Sequence, residues 1–372
     1  MFAPVLFVLG ALPLISCLPS VKAPYERRID ECTVPTQRKS WTALTSEEKL
    51  GYLNADLCLM STPSKSGIAG AKTLWDELQY AHIIQVPYVH FVGAFLPFHR
   101  YFMAIHAHLL KTECNYDGPI PYWDETADVG NIKESAIFDA EYGFGGNGTG
   151  SSGCIADGPF ADLTLHFKED LNTTDYCVTR FLNDRGLSSA SQENIDTCLA
   201  MENYTSIWSC LEGRPHGAGH GGVSGTMVNL FLSPGDPIFY LHHGFLDKLW
   251  WDWQALDLTT RLAEIGGNNT ASRGGGFPGG GRPGGDFPGN PFGPGDNSSF
   301  VPPPGFNISN PSPFPGFPGL GGEPNKAFTD YFYDGGNVTT LNHTLWSAGI
   351  VQNITIGDVM DPRSGFVCAE YV

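Results

Sequence analysis

Eleven histidines are spread unevenly along this 372-residue chain, and they are the residues best placed to do chemistry. His82, His90 and His99 fall within eighteen residues. His216 and His220 stand four apart, so on a helix they share one face. His242 and His243 are adjacent, and His106, His108, His166 and His343 are scattered. Imidazole suits copper, zinc, iron and nickel, whereas hard ions take oxygen ligands. No carboxylate alternates with these histidines as a facial-triad iron site needs, and the His-Glu-x-x-His of zinc proteases is absent. Two all-histidine clusters of three suggest two metal ions. Three nitrogens per ion leave positions open to a small molecule such as dioxygen, and copper tops the divalent affinity order for nitrogen sites. Residue chemistry therefore favours a paired copper site. Two separate zinc sites, or surface and core histidines without metal, are the alternatives.

The elements around these histidines read as helical. Thr45 and Glu48 make a capping box that opens a helix through Leu50, Leu53 and Leu57. A second helix is expected from about Leu74 to Ile84, ended by Pro87. A third is expected from Pro97 to about Thr112, with Phe98, Phe102, Ile105 and Leu109 at core-facing spacing. Residues 160–212 read as short helical pieces between turns, and Pro215 as the opening of a helix-like stretch. Asp236 and Pro237 fit the cap and first position of a further helix carrying Phe239, His243, Leu246 and Trp250 on one side. Residues 266–325 are dominated by Gly, Pro, Phe and Asn without a strict third-residue glycine, so a mobile insertion is expected rather than collagen. Strand-like sequence returns after Lys326, as in Asn353–Ile356.

A net charge of −18 makes a nucleic-acid partner improbable. Residues 1–19 read as a secretory signal, with cleavage between 17 and 23, because the apolar run from Phe2 to Leu14 is too short to span a bilayer. Residues 24–372 then form a single domain. Nine sequons, at Asn147, Asn172, Asn203, Asn268, Asn297, Asn307, Asn337, Asn342 and Asn353, favour a glycosylated, secreted surface. Eight cysteines remain after the signal, an even set that fits four disulfides of unreadable pairing in an oxidising compartment.

Two long stretches carry a resemblance. His90-Phe-Val-Gly-Ala-Phe-Leu-Pro-Phe-His99-Arg100-Tyr-Phe resembles the copper A signature of tyrosinases and catechol oxidases. Asp236-Pro-Ile-Phe-Tyr-Leu-His-His243-Gly-Phe-Leu-Asp247-Lys-Leu-Trp resembles their copper B signature, and Pro121-Tyr-Trp-Asp124 lies between. The likeness to type-3 copper proteins, nearest to short secreted fungal members, runs from Arg38-Lys-Ser-Trp41 to Val359-Met-Asp-Pro-Arg363.

The resemblance implies a mainly α fold: a four-helix bundle housing a dinuclear copper site, with long loops and a few short strands. It implies His82, His90 and His99 on copper A, and His216, His220 and His243 on copper B. His242 then points elsewhere as a packed or hydrogen-bonded neighbour, and His106 is expected in the core. Asp247 is a candidate acceptor for a ligand or an ion-pair partner. Phe95 and Phe239 match phenylalanines that pack on the copper pair, and Leu230 matches a gate over copper A. With dioxygen and a small phenol as partners, the pair would turn o-diphenols or o-aminophenols into o-quinones.

Departures from the family pattern shape that expectation. In several true tyrosinases a glutamate and an asparagine hold a water for monophenol hydroxylation, the asparagine following the first copper B histidine. Gly217 stands there, and Glu212 is only near in sequence. Diphenol oxidation is thus favoured over true tyrosinase activity, and an oxygen carrier of haemocyanin type is the competitor from another class. Ala107 replaces a usual glutamate, and Tyr88 lies where a thioether cysteine would stand beside His90, so no thioether is expected. Cys368-Ala-Glu-Tyr371 resembles the close of the core domain, so no C-terminal lid is expected.

Overall fold

A computed structural model gives the fold and describes residues 32–270 and 332–372. The expected signal and residues 271–325 of the expected insertion, with Asn297 and Asn307, lie outside these, as do residues 326–331. The fold is mainly helical with few short strands. The Ser46–Ser61 helix starts at the expected capping box, in which the Thr45 side chain accepts from Glu48 N–H and Glu48 from Thr45 N–H. Thr73 and Asp76 form a second such box and start the Leu74–Ile83 helix, which carries His82 near its end. The helix bearing His99 runs from Phe95 to Cys114 and stops where Asn115 turns left-handed, at φ 53°. It packs against both the Ser46–Ser61 helix and the Ile238–Ala255 helix.

Prolines account for the shifts from expectation. The Phe95–Cys114 helix starts two residues before Pro97, which still falls in the first turn, where a missing N–H breaks no helical bond. Pro87 opens a four-residue helix, Val86–Val89, and does not merely end the preceding one. Pro215 does not open a helix. It lies inside a π-helical turn, Glu212–His216, that joins the Tyr204–Leu211 and Gly217–Val223 helices into one run. The wider turn accommodates a residue with no N–H, and such bulges gather at functional sites.

A small parallel sheet ties the chain ends together. Thr36–Ser40 is its central strand, with Ile120–Tyr122 on one side and Ala369–Tyr371 on the other. The Cys32–Cys368 disulfide locks this junction. Cys58–Cys114 staples the first long helix to the end of the His99 helix, and Cys154–Cys177 and Cys198–Cys210 complete four bridges. The stretch read as helical pieces and turns holds a hairpin, Thr164–Phe167 with Thr173–Cys177. Ile354–Thr355 pairs with Thr344–Leu345, so the strand near Asn353 is present. The first residues of the expected insertion are folded: Asn268 bridges to Val338 and its carbonyl accepts from Gly93 N–H. Among the described residues, no helix is long and apolar enough to cross a membrane.

Candidate metal centre

Four helical segments converge to supply histidines. His82 comes from Leu74–Ile83, His99 from Phe95–Cys114, His216 and His220 from the run through the π-turn, and His242 and His243 from Ile238–Ala255. His90 sits at the C-terminal cap of the short Val86–Val89 helix. His82, His90 and His99 each offer a ligand atom, and these atoms lie within 4.8 Å of one another. His216, His220, His242 and His243 form a second group under the same limit. The groups meet where the His99 and His243 rings stack, with centroids 4.1 Å apart.

Backbone carbonyls fix how five of these rings present themselves. A carbonyl oxygen only accepts, so the ring nitrogen facing it carries the proton. His82 Nδ1 donates to Phe231 O, His90 Nδ1 to Val86 O and His99 Nδ1 to Phe95 O at 2.8 Å. His216 Nδ1 donates to Glu212 O and His220 Nδ1 to Met227 O. Each ring is left with an Nε2 lone pair, the state a metal requires. Nε2 of His82, His99 and His216 and both nitrogens of His243 are buried and make no hydrogen bond. Bare buried nitrogens are costly unless a ligand completes them. An all-nitrogen set of this kind fits copper, so the residues fit the metal that their types imply.

Burial is the first cause of the electrostatics here. It lowers the pKa of His90 and His220 to about 3, and holds His82, His99, His216 and His243 well below the usual value, with neighbouring histidines adding to the effect. All are neutral and able to ligate at pH 7. Phe95 lies 4.6 Å from the His99 ring and 4.7 Å from that of His216, and Phe239 lies 4.2 Å from His243. These two rings exclude water from the space between the groups.

His242 is the hydrogen-bonded neighbour expected, but it stays beside the centre instead of turning away from it. Its Nδ1 pairs with Glu125, yet it belongs to the second histidine group, and its Nε2 makes no hydrogen bond. Gly219, between His216 and His220, makes room for this pair, since a Cβ there would meet His242 and Glu125 at under 3 Å. Adjacency to His243 hinted at His242. Nothing in the sequence marked Glu125, which is 117 residues away. Asp247 takes the ion-pair role: it binds Arg38 and Arg100 and accepts from the Tyr371 hydroxyl. His106, His166 and His343 pair with Asp56, Asp76 and Asp334, outside both groups.

Glu212 is fully committed. Its Oε1 accepts from Phe91 N–H and its Oε2 from the Trp208 indole, each at 2.7 Å, and burial raises its pKa to about 8. It thereby holds Phe91, next to His90, in a left-handed conformation of φ 59°. Gly217 is exposed, and a Cβ there would meet nothing within 4 Å. Leu230 is half-buried on the loop whose Met227 and Phe231 carbonyls orient His220 and His82. All eight cysteines of the described residues are in disulfides, so none is left for a thioether.

Comparison with known proteins agrees with this arrangement. Residues 72–256 match the family model for the common central domain of tyrosinase. The tyrosinase-like protein phomQ2 of Diaporthe leptostromiformis is 33% identical over 288 residues, covering 72% of this chain and 73% of that protein. Tyrosinase ustQ of Aspergillus flavus is 34% identical over 251 residues, covering 64% of this chain and 69% of that protein. Among solved structures, a variant polyphenol oxidase from Thermothelomyces thermophila shares the fold with a TM-score of 0.64 at 23% identity, covering 91% of this chain and 89% of that one.

Proposed function

This chain belongs to the tyrosinase family and is a copper-dependent polyphenol oxidase, and from that premise we propose that it oxidises o-diphenols, or the related o-aminophenols, to o-quinones outside the cell. His82, His90 and His99 would hold one copper ion and His216, His220 and His243 the other, each through a nitrogen left bare. When bound, the pair supplies dioxygen binding and two-electron oxidation of a phenol. The chain's own part is to present neutral nitrogens. The five carbonyl-anchored rings cannot turn their protonated Nδ1 toward the metal. Phe95 and Phe239 wall the centre against bulk water.

The observation that carries the preference for diphenols is at Gly217 and Glu212. Hydroxylation of a monophenol asks for a group that removes its proton beside the metal. Gly217 offers no side chain, and both oxygens of Glu212 are taken by N–H donors. A catechol makes less demand of this kind. The test is turnover of tyrosine and of a catechol by purified copper-loaded protein. Catechol turnover with slow, lagging tyrosine turnover is expected; fast tyrosine turnover without a lag contradicts the reading. A Gly217→Asn variant has room for its side chain and should raise the tyrosine-to-catechol ratio.

Secretion rests on the four disulfides, which suit an oxidising compartment. The sequons Asn147, Asn172, Asn203, Asn268, Asn337 and Asn342 are exposed, as acceptors of glycans must be, while Asn353 is half-buried. We assign residues 24–372 to one copper domain, with Leu230 as the gate at its mouth.

A further inference from the structure

Behind the metal centre lies an unbroken path of aromatic rings that catalysis on a phenol does not need. From His243 it passes to Phe239 at 4.2 Å and to Tyr240 at 5.4 Å. Tyr240 stacks on His106 at 3.9 Å and lies 5.1 Å from Trp75. His106 lies 6.2 Å from Tyr52, and Tyr52 lies 6.0 Å from Tyr116, which is half-buried at the protein edge. Tyr52, Trp75, His106 and Tyr240 are all buried.

Packing and backbone carbonyls account for Trp75 and Tyr116, whose polar atoms donate to Gly235 O and Pro119 O, but not for the hydroxyls of Tyr240 and Tyr52. The Tyr240 hydroxyl is buried without a hydrogen-bond partner, and the buried Tyr52 hydroxyl has only the Asp56 carboxylate to interact with. A phenylalanine at Tyr240 would fill nearly the same volume without stranding a polar group. His106 Nε2 with Asp56 Oδ1 at 2.8 Å holds the carboxylate next to Tyr52. The path thus combines oxidisable rings at short steps, a proton acceptor beside the middle phenol, and an end near solvent.

We propose that Tyr240, Trp75, Tyr52 and Tyr116 form an electron relay that protects the centre when dioxygen has been activated and no phenol is bound at it. The proposal rests on the copper oxidase reading above. Tyr240 or Trp75 would supply one electron to the centre. The vacancy moves to Tyr52, whose phenolic proton passes to Asp56. Tyr116 then gives an electron to Tyr52, which recovers its proton from Asp56, while the Tyr116 proton leaves to solvent. A phenol in solution returns one electron and one proton to Tyr116 and becomes a phenoxyl radical.

The experiment treats copper-loaded protein with hydrogen peroxide in the absence of phenol. It follows the near-ultraviolet band of the coupled pair, freeze-quenched electron paramagnetic resonance, and the rate of inactivation. The parent should show the band and a tyrosyl or tryptophanyl radical. Tyr52→Phe and the edge variant Tyr116→Phe should keep the band and catechol turnover, weaken or shift the radical signal, and be inactivated several-fold faster. A parent with the band but no protein radical, or variants inactivated at the parental rate, would overturn the relay. A parent without the band would overturn the copper reading beneath it, and the relay with it.

Discussion

Two neighbouring turns of the Ile238–Ala255 helix bury polar groups in opposite ways. At His243 both ring nitrogens are buried with no hydrogen-bond partner. One turn on, Asp247 is as deeply buried, yet its carboxylate binds Arg38, Arg100 and Tyr371. The Arg100 guanidinium also stacks on Trp250 at 3.8 Å and donates to the Val359 and Met360 carbonyls. The ion-pair network joins the first strand, two helices and the last strand, so it holds the fold together. The histidine turn leaves its donors incomplete, which costs stability and keeps ligand positions ready. The contrast separates a region built for stability from one built to receive a metal.

The sharpest way to break this contrast is to substitute one residue from each turn. His243→Leu should abolish copper-pair formation and bring catechol turnover to background, while leaving the apoprotein at least as stable, since it removes bare buried nitrogens. Asp247→Ala should destabilise the apoprotein by about 3–5 kcal/mol, because it strands two buried guanidinium groups. Denaturant titration of both apoproteins checks the pair of outcomes. Copper removal should act in the same direction. Metal at a hundredfold above Kd is worth about 2.7 kcal/mol by linkage, less whatever binding the unfolded chain retains. Calorimetry with and without a chelator reads it.

Acid should act mainly on the histidine turn and its partners. In the unfolded chain histidines take up protons below about pH 6.5, whereas folded His90, His220 and His242 resist until about 3. The unfolded state binds more protons in that window, so stability falls as pH drops through it. Glu125, Asp56 and Glu212 are raised by burial and oppose this, but the depressed histidines outnumber them. Apoprotein melting temperature against pH should therefore decline below about 6.5. A flat profile would mean the rings are more solvated than the fold implies. The smallest effect expected is at the proposed gate. Leu230→Phe should raise KM for bulky catechols several-fold with little change for catechol itself, as steady-state assay would show.

Local signals made half of this legible in sequence. Thr45 and Glu48 act within one turn, so their capping box could be read directly, and the four-residue spacing of His216 and His220 survives because one helical run carries both. What escaped depends on distant partners. Arg38 meets Asp247 across 209 positions, and Phe91 meets Glu212 across 121. The π-turn at Pro215 has no local signature distinct from a helix start, and disulfide pairing depends on which segments the fold brings together, Cys32 with Cys368 across 336 positions. His242 was expected as a hydrogen-bonded neighbour because the resemblance gives copper B the second histidine of the pair; it does bond Glu125, and its place among the copper B histidines depends on how the helices converge.

The most direct test of the paired centre is the absorbance of copper-loaded protein treated with hydrogen peroxide. A strong near-ultraviolet band, absent in His99→Leu and His243→Leu, is the predicted result. No band in a parent protein carrying two coppers per chain would contradict the account.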